Sequence, residues 1–149
     1  MKIRGERHYL WRAVDQDGDL IDILVQRYRN ARAARRFFRK LLKRQGSQPW
    51  QLVTDKLKSY GAAHRTTMSS VEHNTTRYAN NRAEVSHQPT RQRERQMRRF
   101  KSVSHAQRFL SVHGVVQNLF NLGRHHLRSE NYRLLRARSF KDWSAATAA

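Results

Sequence analysis

Apolar positions recur with two different periods along the chain. The runs His8–Val14 (HYLWRAV) and Leu20–Val25 (LIDILV) are rich in aromatic and β-branched residues, and Ile21, Ile23 and Val25 share one face of an extended segment. Asp15-Gln16-Asp17-Gly18-Asp19 lies between them, so an antiparallel hairpin is predicted, with Asp15, Asp17, Asp19 and Asp22 read as turn formers. The period then becomes helical. Ala34, Phe37, Phe38, Leu41 and Leu42 form one apolar stripe on a helix over 31–45, with Asn30 as its cap and Gly46 at its end. A short strand, Gln51–Thr54, follows Pro49-Trp50 and runs into Asp55. Lys56–Ser70 reads as a short helix and loop, and Val71–Tyr78 as a weakly alternating strand. Asn80-Asn81 offers a cap for a helix carrying Arg82 to Phe100; Pro89 either kinks it or shifts its start toward Pro89. Ser104–Leu122 is amphipathic through Ala106, Phe109, Leu110, Val116, Leu119 and Phe120, weakened by Gly114 and ended by Gly123. A basic tail follows, with Trp143 as its last anchor and 144–149 expected to fray. Hairpin, crossover helix and further strand predict an α/β layered domain.

Charge changes that picture. Thirty-one Lys and Arg against 11 Asp and Glu give a net charge of +20 over 149 residues, which favours a polyanionic partner. The excess is segregated: from Ile23 to Thr54 there are nine Lys and Arg and no acid. The absence of Cys excludes disulfides and thiolate metal sites. No apolar run approaches a membrane span, and the start MKIRGERHYLW lacks the apolar stretch of a secretory signal. The composition therefore reads as a soluble cytosolic protein that meets nucleic acid. High charge and low hydropathy also fit disorder, but periodic apolar content, 38% of the chain, argues against it.

Within so basic a chain, two isolated acids stand out. Asp55 ends a short apolar strand, and Glu84 lies 29 positions later near a helix start. Carboxylates from a strand tip and a neighbouring helix can converge on a hard divalent cation. The competing reading is an ion-paired Asp and a Glu favoured by the helix dipole. In one helix, Glu84, Gln88, Arg91 and Arg95 share a face, and six Lys and Arg between Arg91 and Lys101 against Glu94 suit DNA phosphates. A solvated basic helix is the alternative. The eight His show no metalloprotease spacing, and no phosphate-loop, dinucleotide or G-x-S-x-G motif is present.

Taken in order, HYLWRAVDQDG, RFFRKLL, VTDKLKSYGAA, VEH and RYANNRAEVSHQPTRQRERQMRRFKS resemble DDE-type bacterial insertion-sequence transposases, from about Lys2 to Trp143. The resemblance implies a ribonuclease H-like, retroviral-integrase-like α/β fold: a mixed sheet flanked by helices, its first core strand largely missing, with a helical C-terminal region. It implies a partial catalytic core over 1–101, a helical continuation of the same domain over 102–143, and a frayed 144–149. It also implies Mg²⁺- or Mn²⁺-dependent cleavage and joining of double-stranded DNA at element ends and target. Asp55 corresponds to the second aspartate of the triad and Glu84 to its glutamate. The 28 intervening residues are on the short side for the family, and Val85 follows Glu84 where relatives often carry a polar residue. Asp15 does not correspond to the first aspartate, which in the family lies shortly before the segment resembling KIRGERHYLWRAVD. The expectation is an N-terminally truncated, catalytically incomplete copy, cytoplasmic and nucleoid-associated, forming homo-oligomers or mixed oligomers with full-length transposase. Lys56, Lys58, Arg82, Arg91, Arg93, Arg95, Arg98, Arg99 and Lys101 are the candidate DNA contacts. A non-enzymatic DNA-binding protein that interferes with full-length transposase, and an RNA-binding protein, are the competing readings.

Overall fold

The computed structural model describes residues 1–76, 78–86, 88–96, 100–123 and 126–148, with side chains described except at 82, 84, 86, 89 and 94–96. The architecture is mixed α/β with three small two-stranded sheets among the described residues. Strands β1 (Lys2–Ile3) and β2 (Glu6–Arg7) form a tight hairpin. Its turn residues Arg4 and Gly5 both take positive φ, as a two-residue turn matching strand twist requires.

Strands β3 (Tyr9–Val14) and β4 (Leu20–Gln26) form the predicted antiparallel hairpin. Asp15 closes its turn: Oδ1 accepts the N–H groups of Asp17 and Asp19, each at 2.9 Å. Two expectations need correction. The register shifts at Ala13/Val14, so Leu20 rather than Ile21 joins Ile23 and Val25 on one face, and Ile21 turns to the other side. Asp22 is no turn former either. It is 2% exposed, and its Oδ1 accepts from Lys40 Nζ at 2.7 Å, Arg44 Nη1 at 3.2 Å and its neighbour's N–H. It ties β4 to the following helix.

That helix, α1 (Ala31–Gln45), has the predicted bounds and caps. Asn30 Oδ1 accepts Ala33 N–H at 2.9 Å, and Gly46, at φ 70°, lets its own N–H reach Leu42 O. The stripe buries Ala34, Phe37 and Phe38 against Trp11 of β3 and against Ala63 and Met68 of the following segment, and Leu41 is buried as well. β5 (Gln51–Val53) and β6 (Glu72–Asn74) are parallel, joined through α2 (Lys58–Thr67), a βαβ unit.

The helix predicted over 82–100 does not extend to Phe100, which forms a bridge with Ile3. The described residues give α3 (Asn81–Ser86) and α4 (Gln88–Gln96), the latter containing Pro89, while residues 87 and 97–99 lie outside the described residues. The expectation that Glu84, Gln88, Arg91 and Arg95 share one helix face runs through residue 87 and the side chains of Glu84 and Arg95, which lie outside those described. α5 (Val103–Phe120), capped by Ser102, packs Ala106 and Leu110 with Ile3, Ile23 and Val25 on the hairpin face opposite α1. Gly114 makes the approach possible: a Cβ there would overlap Leu20 Cδ2. α6 (Ser129–Thr147) runs through positions expected to fray and lays Phe140 and Trp143 on Phe120. No helix among the described residues is long and apolar enough to cross a membrane.

Candidate active site

A cleft of about 1120 Å³ opens between the two halves of the α/β layer. All of β3, Tyr9 to Val14, and the whole run Gln51 to Asp55 line it. Successive strand residues alternate faces, so a cavity lined by consecutive residues follows a strand's edge. Among the described residues β3 pairs only with β4 and β5 only with β6, leaving both cleft-facing edges unpaired. The opposite edge, on β4, is closed. Gln107 accepts from Val25 N–H at 2.8 Å and donates to Ile23 O at 3.0 Å. Asn118 does the same for Leu20 N–H and O, at 2.8 and 2.9 Å.

Asp55 sits at the tip of β5 inside this cleft, its side chain 38% exposed. The peptide groups around it are held from both sides. Leu57 N–H donates to Asp55 Oδ1 at 3.0 Å. Thr54, which is buried, donates its hydroxyl to Asp55 O at 2.9 Å and contacts His73 Nε2 at 2.8 Å. With the hydroxyl proton committed to Asp55, Nε2–H of His73 is the donor in that contact. Burial, and then the His64 ring 4.7 Å away, hold His73 below the usual histidine range, so the neutral form is favoured.

Arg29 Nη2 donates to Asp55 Oδ2 at 3.0 Å, a cation already seated on this carboxylate. The chemistry of the donor suits a hard divalent ion: oxygen lone pairs at a strand tip, half open to a water-accessible cleft. Tyr60 lines the cleft nearby. Burial first, then the Asp55 charge, push its hydroxyl up to about 12, with Arg29 acting the other way. It is therefore neutral at pH 7.

The other wall comes from the 80–91 region, where Asn80 and Ala83 beside Glu84, and Thr90 and Arg91 of α4, line the same cleft. α3 packs on β3. Arg12 bridges the walls, donating to Thr90 Oγ1 at 3.3 Å. Glu84 directly follows the cleft-lining Ala83 in α3, and its side chain lies outside the described ones. Among the described residues no group of three or more His, Asp or Glu forms a metal cluster.

The candidate DNA contacts divide. Arg91 is exposed and borders the cleft. Lys56 and Lys58 are exposed just past Asp55. Arg93 lies on another side of α4: burial, then Arg93, then Arg12 lower the pKa of His113 on α5. Lys101 is exposed beside the β1–β2 turn, its carbonyl accepting from Arg4 Nε at 2.9 Å. Arg82 and Arg95 are helical, with side chains outside the described ones, and Arg98 and Arg99 lie outside the described residues altogether. Sequence reasoning missed Arg29, Arg12, Thr90 and Thr54. Nothing in local spacing joins Arg29 to Asp55, 26 positions away.

Comparison with known proteins bears on this cleft directly. A family model described as a DDE domain, of the IS240 transposase type, matches residues 1–123. Transposases for the insertion sequence-like element IS431mec from Staphylococcus aureus strains Mu50 and N315 are 28% identical over 132 residues. So is the transposase for IS257 in transposon Tn4003 of Staphylococcus aureus. Each alignment covers 85% of this chain and 57% of the relative, so the chain spans little more than half their length. No solved structure matches. With the DDE-domain match running across both walls of the cleft, the chain belongs to the DDE-type insertion-sequence transposases.

Proposed function

We propose that this chain is part of the catalytic core of an insertion-sequence transposase, with Asp55 and Glu84 as two of three carboxylates that hold divalent metal at the scissile DNA phosphate. The observation that carries the reading is the shared cleft: Asp55 and the residues preceding Glu84 line one cavity between two unpaired strand edges. Those edges support a ribonuclease H-like mixed sheet in which one further strand lies between β3 and β5. The β1 register supports it too. Met1 and His8 exchange hydrogen bonds of 2.9 and 3.1 Å, so an extended segment entering beside Met1 in that register pairs with β3 from Tyr9 onward. In the proposed core that strand brings the first aspartate, and the 149 residues alone are incomplete for catalysis.

Bound Mg²⁺ or Mn²⁺ supplies activation of the attacking oxygen and stabilisation of the leaving one. The protein's own part is positioning. Thr54 and His73 fix the peptide of Asp55, and Leu57 N–H orients its carboxylate. Arg29 balances the carboxylate charge. Lys56, Lys58, Arg91 and the basic residues of 82–101 neutralise flanking phosphates.

The test is strand transfer on the element's terminal DNA with Mg²⁺ or Mn²⁺. The 149-residue chain is expected to give no joining. Extended at its N-terminus by the corresponding segment of the IS431mec transposase, it joins, and Asp55→Ala or Glu84→Ala abolishes joining while most DNA affinity persists. Joining that survives both substitutions refutes the site. A second reading, a DNA-binding protein that interferes with full-length transposase by mixed assembly, draws on the +20 charge and on Arg29 already neutralising Asp55. It predicts no joining even in the extended chain.

A further inference from the structure

The outward face of α1 takes no part in the cleft. Its Phe37, Phe38 and Leu41 look inward and line the cavity floor. At about 100° per residue, Arg32, Arg36, Arg39 and Lys43 fall within an arc of about 60°, centred opposite that apolar stripe. All four are exposed. Lys40 and Arg44, at the edge of the row, are tied to Asp22. Among the described residues no carboxylate pairs with the other four.

Folding alone does not favour this row. The first turn carries Arg32 and no acid, against the helix dipole. The pairs 32/36 and 39/43 stand four apart, and 36/39 three apart, spacings at which like charges destabilise a helix. The surrounding sequence offers no relief, since no acid occurs between Ile23 and Thr54. Such a row is stabilised when a polyanion lies along it. Its length, 11 residues at 1.5 Å or about 16 Å, matches several phosphates of one strand at ~3.4 Å of axis each.

We propose that the outward face of α1 is a second DNA-contact surface, separate from the cleft, that binds the duplex phosphate backbone without reading bases. The proposal rests on the transposase reading only for the identity of the polyanion. With α1 between them, one duplex lies against Arg32, Arg36, Arg39 and Lys43 while the cleft holds another segment.

The experiment measures affinity of the full chain for a mixed-sequence 30-base-pair duplex from 50 to 200 mM salt. The probe is compared between wild type and the R32Q/R36Q/R39Q/K43Q variant. Four phosphate contacts at about 0.9 ions each predict a slope of log K against log salt shallower by 3 to 4 in the variant. The fourfold salt rise then weakens wild type about 10²-fold more than the variant. Thermal melting of the variant is expected to be unchanged or raised, because repulsion is relieved. Should the quadruple variant not fold, R36Q and R39Q singly are each expected to lower the slope by about 0.9. An unchanged slope overturns the proposal, as does row-dependent binding to phosphatidylserine vesicles or to an RNA hairpin without any to the duplex. Asp55→Asn separates the two readings: it leaves the row-dependent slope intact, so loss of the catalytic site and loss of the α1 surface are distinguishable.

Discussion

The two edges of the β3–β4 hairpin are treated differently. On the β4 edge, Gln107 and Asn118 of α5 each supply both a donor and an acceptor to backbone groups, so that edge is satisfied by side-chain amides in place of a neighbouring strand. Gly114 lets the helix come close enough to do so. On the β3 edge, among the described residues, α3 packs on the strand but no second strand pairs with it: its consecutive residues face a cleft whose far side is the edge of β5, which likewise pairs with no second strand. Open edges invite pairing with further chain, and folds usually blunt them. The contrast teaches that one edge is satisfied by side chains and the other is left open to pairing. The carboxylate at the tip of β5 sits at the end of the second.

The sharpest way to break that contrast is on the satisfied edge. Asn118→Ala strands the N–H and carbonyl of Leu20, and Gln107→Ala strands the N–H of Val25 while Ile23 O keeps Lys40, so each should lower stability by about 1–3 kcal/mol, read by urea unfolding. A neutral result would mean that the edge is not closed by these amides. Next, Gly114→Ala should destabilise by about 1–3 kcal/mol, since the added methyl forces Leu20 or α5 to move. On the open edge the effects should be smaller. Asp55→Asn removes a half-exposed ion pair with Arg29 and should change stability by less than about 1 kcal/mol, although it removes a metal ligand in the proposed core. The pH response is a further readout. His73 and His113 titrate lower in the folded chain than in the unfolded one, so the unfolded state takes up their protons first. Their stabilisation is full above about 6.5 and is lost as pH falls through the lowered folded values. Tyr60, raised to about 12, gives the opposite limb: stability holds below about 10 and falls as pH rises from there to 12. Denaturant midpoints between pH 5 and 11 should trace both limbs, and His73→Gln should flatten the acid one.

Much of this was legible from residue order. α1 was readable end to end, because its stripe, its Asn30 cap and its terminal Gly46 are all local signals. So was the hairpin, whose turn is closed by Asp15. What escaped depends on partners distant in sequence. Asp22 reads as one of four clustered acids until Lys40 and Arg44 arrive from the next element. Ile21 reads as a core residue until a bulge shifts the register. The helix over 82–100 reads as running to Phe100, yet Phe100 forms a bridge with Ile3, a partner far away in sequence. At the site, motif resemblance singled out Asp55 and Glu84. The Arg29 ion pair and the two open edges that frame the cleft need three-dimensional proximity.

The central claim is that Asp55 and Glu84 hold one divalent ion from opposite walls of the cleft. Fe²⁺-directed hydroxyl-radical cleavage of the N-terminally extended chain tests it directly. Backbone scission is expected at two places, around Thr54–Lys56 and around Ala83–Val85, and excess Mg²⁺ should suppress both together. Scission confined to one of these segments, or at neither, would contradict the account.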